Sequence, residues 1–204
     1  MVSSRRNTTA SLFLWTGLLL FAGLSLEPLL RMPASLFLYH PILMVGTMIF
    51  ITEGIALLQA PTLPASAHKQ RKTWHGYFQA IGLIVIEAGF TAIYVTKDRN
   101  NKPHFSTIHG QLGVMCVMWF TAQAIFGSIL AYFPRLVGNI SQKKQYWNWH
   151  RQGGYVLLGL MWITSQTGVR STSMLALQRD PILINFHWLA LGLVSLGLLL
   201  PSTL

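Results

Sequence analysis

His40, His75, His109 and His150 each stand near the opening of a different long apolar run. A histidine inside such a run is costly to a membrane helix and usually faces the bundle interior or a functional site. Four of them on successive runs, at matched depth, form two candidate ligand pairs, one near each end of the runs. Two neutral imidazoles facing each other from separate helices are the axial ligands of a b-type haem, whose six-coordinate iron passes electrons rather than binding oxygen. Two such pairs can hold two haems stacked across a bilayer.

The runs that must position them follow from composition. Of 204 residues, 52% are hydrophobic and only 10% are charged, which is not a soluble composition. Stretches of about 20 mostly apolar residues, the length a helix needs to cross ~30 Å of hydrocarbon, run roughly over 10–30, 38–59, 75–95, 107–132, 150–168 and 182–201. The expectation is an all-α integral membrane protein, a six-transmembrane-helix bundle, with residues 1–204 forming a single transmembrane domain. Pro61 and Pro64 close the second run, Pro103 precedes the fourth, Pro134 ends it, and Pro181 opens the sixth. The first run follows Arg5 and Arg6 but is longer than an ordinary signal core, so it reads as a helix rather than a cleaved leader. The single Cys116 can form no internal disulfide, and the absence of a C-x-x-C-H motif excludes a covalently attached haem.

Short loops make neighbouring helices antiparallel. Parity then places His40 and His109 under one membrane face and His75 and His150 under the other. From His40 to Gln59 is a full crossing, ~30 Å at about 1.5 Å per residue, so the two faces require two separate sites. The net charge of +10 does not point to nucleic acid, because the Lys and Arg residues flank the apolar runs. With the N-terminus cytoplasmic, Arg5, Arg6, Lys69, Arg71, Lys72, Arg135, Lys143, Lys144 and Arg151 lie inside. Arg31, Lys97, Arg99, Lys102, Arg170 and Arg179 then lie outside, with Glu27, Asp98 and Asp180. This excess of inner cations favours both termini in the cytoplasm; an endomembrane (ER or vesicle) and the plasma membrane fit equally.

Glycines accompany the histidines: His75-Gly76, His109-Gly110 with Gly113, and His150 followed by Gly153 and Gly154. A flat macrocycle needs missing side chains to approach a helix, although small residues also let membrane helices pack closely. His104 and His187 are rival candidates near the outer pair. His187 reads as a hydrogen-bonded bundle residue and His68 as a solvated loop residue. Glu53 and Glu87 lie within helices, far from their own helices' histidines, and read as neutral, hydrogen-bonded carboxyls or as groups influencing the opposite site.

Several stretches resemble the eukaryotic cytochrome b561 family: Tyr39-His40-Pro41 with Leu43-Met44 and Thr52-Glu53; His75 with Gln79; Lys102-Pro103-His104-Phe105 leading to His109-Gly110-Gln111; and His150 with Gly154-Tyr155. The resemblance covers the second to the fifth helix, and is nearest to the small members whose chain is little more than the core. It implies two haem b groups in a central four-helix di-haem core (helices 2 to 5). His40 with His109 would bind the outer haem and His75 with His150 the inner one. It further implies electron transfer from cytoplasmic ascorbate to a ferric chelate or monodehydroascorbate on the opposite face, and a homodimer.

On that reading Lys69, Arg71, Lys72, Lys144 and Arg151 attract ascorbate, while His104, Lys102 and Arg99 receive an anionic chelate. Positive-inside topology alone also accounts for the inner cations. The chain departs from the family where an aromatic-basic stretch commonly ends the second helix: here it reads Ala56-Leu57-Leu58-Gln59-Ala60-Pro61. Two alternatives share these features, a di-haem cytochrome linked to quinol and a haem-free proton-coupled transporter.

Overall fold

A computed structural model describes residues 7–59, 65–177 and 180–200, with the side chains of Ala65 and Pro181 left aside. Arg5, Arg6, Pro61, Pro64 and Arg179, which entered the charge and turn readings, lie outside the described residues. Among these residues the helices are α1 (Thr8–Leu26), α2 (Leu36–Ala56), α3 (Ala65–Arg99), α4 (Ile108–Tyr132), α5 (Ile140–Val169), the one-turn α6 (Thr172–Leu175) and α7 (Phe186–Leu199).

Local chemistry sets the helix starts. The Asn7 side chain accepts from Thr9 N, and Thr107 Oγ1 accepts from Gly110 N. Asn139 and Gln142 form a reciprocal capping box that opens α5. Each satisfies amide groups that a helix N-terminus would otherwise leave unpaired. Pro134 and Pro181 begin tight 3-10 turns, as a fixed φ and a missing N–H favour.

Five segments are long and apolar enough to cross a membrane: Thr8–Arg31, Leu36–Ala56, Ser66–Arg99, Ile108–Tyr132 and Ile182–Leu199. The protein is therefore a multi-pass integral membrane protein. The expected span at 150–168 is helical but does not reach the same hydropathy. Its C-terminal part carries Thr164, Ser165, Gln166 and Thr167, whose side chains are spent on polar contacts inside the bundle. Outward-facing side chains are correspondingly apolar: Ile84 and Met118 are 71% and 68% exposed, a surface suited to lipid rather than water.

Two helices overrun their apolar runs. α3 begins at Ala65 and α5 at Ile140, so His75 and His150 are each the eleventh residue of their helix. Lys69, Lys72, Lys143, Lys144 and His68 thus lie on helical extensions and not in loops. Lys, Gln and Arg are good helix formers, and neither Pro nor Gly interrupts 65–75 or 140–150.

Packing comes in antiparallel pairs. α2 lies along α3, α4 along α5 and α1 along α7; α3 also meets α4 and α5 returns to α2, which closes a four-helix group. The α1–α7 pair approaches at backbone level: a Cβ at Gly17 would stand 2.7 Å from the Ala190 carbonyl, and one at Gly197 2.5 Å from Leu14 N. Small residues supply this closeness in a membrane, where no hydrophobic effect drives helices together. Between the layers, Val45, Met48, Ile51, Ile86, Phe120 and Met161 form the shared core.

Candidate functional site

At one end of the four-helix group, the second turn of α2 brings His40 opposite His109 in the first turn of α4. Their ring centres are 6.1 Å apart, with planes at 71°. His40 Nδ1 donates to the Gly89 carbonyl of α3 at 3.0 Å. His109 Nδ1 donates to the Thr164 carbonyl of α5 at 3.1 Å, with Thr167 Oγ1 at 3.3 Å. A carbonyl only accepts, so in a neutral imidazole the proton sits on Nδ1 and the Nε2 lone pair is left for a metal. This is the orientation that outer hydrogen bonds impose on ligating histidines.

A cavity of about 330 Å³ adjoins this pair, walled among others by His40, Met44, Phe90, His109, Gly113 and Met161. It is mainly apolar. A Cβ on Gly113 would meet nothing within 4 Å, so its face is open to the cavity. Two imidazoles ligating one metal from opposite sides, each at about 2.0–2.1 Å, have ring centres on the order of 6 Å apart. The observed spacing and the free lone pairs fit a bis-histidine haem iron.

At the other end, His75 Nδ1 donates to the Gly54 carbonyl of α2 at 2.8 Å. His150 stands at the same end on α5, where the neighbouring Trp147 ring meets Lys72 of α3. Its backbone carbonyl accepts from the Gln123 amide, and the Trp147 and Phe126 rings flank it at 5.8 and 6.1 Å. His150 Nδ1 is buried without a hydrogen-bond partner. In this His150 departs from the other three histidines, whose Nδ1 atoms each bond a carbonyl of a neighbouring helix.

The two ends share a construction. Gly54 follows His40 by fourteen residues on α2, and Gly89 follows His75 by fourteen on α3, so each histidine meets the glycine of its antiparallel partner. In the second pair the interval is eighteen, from His109 to Gly127 and from His150 to Gly168. A Cβ on Gly127 would lie 2.6 Å from His150 Cε1, and one on Gly168 2.8 Å from His109 Cε1. His109 and His150 thus lodge where the facing helix lacks a side chain, while His40 and His75 bond the carbonyls of Gly89 and Gly54, whose missing side chains make room for Met44 and Gln79.

The glycines nearest in sequence play a smaller part. Gly76, like Gly113, faces open space; Gly110 abuts Thr107 and Phe105, and Gly153 and Gly154 abut Gln123. The cross-helix glycines, with Thr164 and Thr167, were missed, although their equal spacing from the histidines was readable. His187 is fully buried, donates from Nδ1 to the Ile184 carbonyl and accepts at Nε2 from Ser25 Oγ (3.2 and 3.3 Å), as a bundle residue would. Glu87 Oε1 accepts from Thr121 Oγ1 at 2.9 Å across α3 and α4.

Among the cations, Lys72 Nζ sits 6.0 Å above the Trp147 ring, Arg71 donates to the Leu57 carbonyl, and Arg151 donates to Asn148. The ends of α2, α3 and α5 therefore place Arg71, Lys72 and Arg151 beside the His75 end, while Lys69 and Lys144 stand exposed on the same extensions. At the His40 end, His104 stacks on Tyr94 at 4.1 Å and lines the cavity. Lys102 and Arg99 are exposed nearby, and Lys97, not anticipated, also lines the cavity.

A family model described as eukaryotic cytochrome b561 matches residues 39–176, which take in all four histidines and well over half of the chain. The chain belongs to the eukaryotic cytochrome b561 family. It is 31% identical over 112 residues to the mouse protein "Transmembrane reductase CYB561D2", covering 53% of this chain and 50% of that one. It is 27% identical over 134 residues to a rice protein named "Probable ascorbate-specific transmembrane electron transporter 1", covering 65% and 56%. Against the rat "Lysosomal membrane ascorbate-dependent ferrireductase CYB561A3" it is 26% identical over 102 residues, covering 48% and 39%. The chain thus spans about half the length of the curated relatives it matches.

Proposed function

We propose that this b561-family protein is a transmembrane reductase that carries electrons from cytoplasmic ascorbate, through two b-type haems, to a ferric chelate or monodehydroascorbate on the opposite face. In this reading residues 1–204 form one transmembrane domain. α5 serves as a sixth span, and both termini are cytoplasmic. His40 with His109 holds the outer haem and His75 with His150 the inner one.

The observation that carries the proposal is the paired geometry of His40 and His109. Their ring separation suits one shared metal, and both Nδ1 atoms are committed to carbonyls of neighbouring helices. Bound there, haem supplies a one-electron iron couple. The chain's own groups do the rest. Gly89 and Thr164 fix the ring orientation at the outer site, as Gly54 does for His75 at the inner one. The apolar cavity wall keeps water from the outer site. Lys69, Arg71, Lys72, Lys144 and Arg151 raise the local concentration of the ascorbate anion at the inner face. Lys102, Arg99 and His104 draw an anionic acceptor to the outer one. In a membrane that is negative inside, outward electron movement gains ~2.3 kcal/mol per 100 mV.

The test is stopped-flow absorbance of the purified, haem-loaded protein mixed with ascorbate. Rapid appearance of the reduced low-spin bands is expected. Bands that form only with dithionite would remove ascorbate as the donor and leave the haem sites standing.

A further inference from the structure

A second cavity, of about 440 Å³, opens at the outer end between α4, α5, α6 and α7. It is more polar than the first: Thr107, Thr167, Ser171 and Thr172 contribute hydroxyls, and Arg170 contributes a cation. The Arg170 guanidinium donates to the Gln166 carbonyl at 3.2 Å, to the Gln166 side-chain oxygen at 2.8 Å and to the Ile184 carbonyl at 3.1 Å. It also lies 5.0 Å from the Trp188 ring centre. All these partners are neutral. A guanidinium has five N–H donors, so its charge and two of its donors remain for a ligand. Among the described residues it forms no ion pair, and a cation without a counter-charge attracts anions.

The same cavity is walled by His109. A flat cofactor in the first cavity would take that side of the histidine, and the second cavity then reaches it from the side of α5 and α7. We propose that this cleft seats a multiply charged anionic electron acceptor, of the ferric-chelate class, with Arg170 binding its charge and Thr107 and Ser171 its outer polar atoms. The assignment rests on the electron-transfer reading above and adds the place where its acceptor docks. In the step served, one electron passes from the outer site to the chelated iron, which goes from ferric to ferrous, with no bond broken and no proton moved. Lys102 and Arg99, exposed nearby, steer the anion but do not seat it.

Binding can be read without turnover, by calorimetric titration of the purified full chain with hexacyanocobaltate(III), a redox-inert trianion. Arg170→Gln should weaken binding about tenfold or more, the effect of losing charge-assisted hydrogen bonds. Ser171→Asp, which sets a negative charge beside Arg170 without removing its cation, should weaken it too, and Lys102→Gln should change it little. Undiminished affinity in Arg170→Gln and Ser171→Asp, or a loss confined to Lys102→Gln, overturns the proposal.

A kinetic measurement complements it: oxidation of the pre-reduced protein by ferricyanide compared with hexaammineruthenium(III), a cation. Arg170→Gln should slow only the anionic oxidant. Equal slowing of both would place the effect in the fold or the redox centre and overturn the docking assignment. If the unsubstituted protein bound hexacyanocobaltate but carried no haem, the electron-transfer reading would fail by itself.

Discussion

The His40 imidazole donates to the Gly89 carbonyl of the antiparallel helix α3, 3.0 Å away, and thereby leaves the lone pair of its other nitrogen uncommitted, with the His109 ring centred 6.1 Å away. The reverse contact, His75 to Gly54, repeats this at the far end of the same helix pair. One register between two helices therefore orients one histidine of each candidate pair, and a slip of α2 against α3 would disturb both ends together.

Each pair is expected to fail independently when a ligand is removed. His40→Ala or His109→Ala should empty only the outer site, and His75→Ala or His150→Ala only the inner one, each lowering haem content from two per chain to one. Haem quantified against protein, with electron paramagnetic resonance to separate the two low-spin signals, checks this. Loss of both haems from every variant would show that the sites are not separate.

His187→Ala should leave both haems in place. It removes the bond to Ser25 that ties α7 to α1, and leaving a buried partner unsatisfied costs about 1–3 kcal/mol. The expected result is a lower melting temperature with full haem content. A missing haem in this variant would make His187 a ligand.

Gly127→Ala and Gly168→Ala should each damage one site, because the new methyl would stand 2.6 or 2.8 Å from an imidazole carbon. Overpacking of this kind costs about 1–3 kcal/mol. Reduced haem retention or an altered low-spin signal is expected, at the inner site for Gly127→Ala and the outer for Gly168→Ala. Gly159→Ala, whose Cβ would meet nothing within 4 Å, is the matched control and should retain both haems.

Neutralising Lys69, Arg71 and Lys72 together should slow reduction by ascorbate and flatten its salt dependence, since attraction between exposed charges is screened over about 8 Å at physiological ionic strength. Stopped-flow rates across a salt series check it. Unchanged rates would assign these cations to membrane orientation alone.

Much of this arrangement was legible in the sequence, because histidine is conspicuous in an apolar run and antiparallel parity then sorts four histidines into two pairs. The family resemblance read from the His40, His75, His109 and His150 motifs agrees with the match over residues 39–176. Less legible was whatever depends on contacts between helices. Gly54, Gly89, Gly127 and Gly168 stand far in sequence from the histidines they receive, and a glycine in a membrane helix does not by itself announce a close approach. The starts of α3 and α5 were placed too late because hydropathy marks where lipid begins, while capping and helix propensity mark where the helix begins. The lower hydropathy of α5 has the same kind of cause: Thr164 and Thr167, which make it look less like a span, lie against His109.

The number and kind of haems that the full chain binds test the paired histidines most directly. A reduced-minus-oxidised absorption spectrum, combined with haem extraction and protein quantification on the purified protein, measures both. Two non-covalent b haems per chain, both low-spin, are predicted. One haem, none, or a high-spin spectrum would contradict the pairing of His40 with His109 and of His75 with His150.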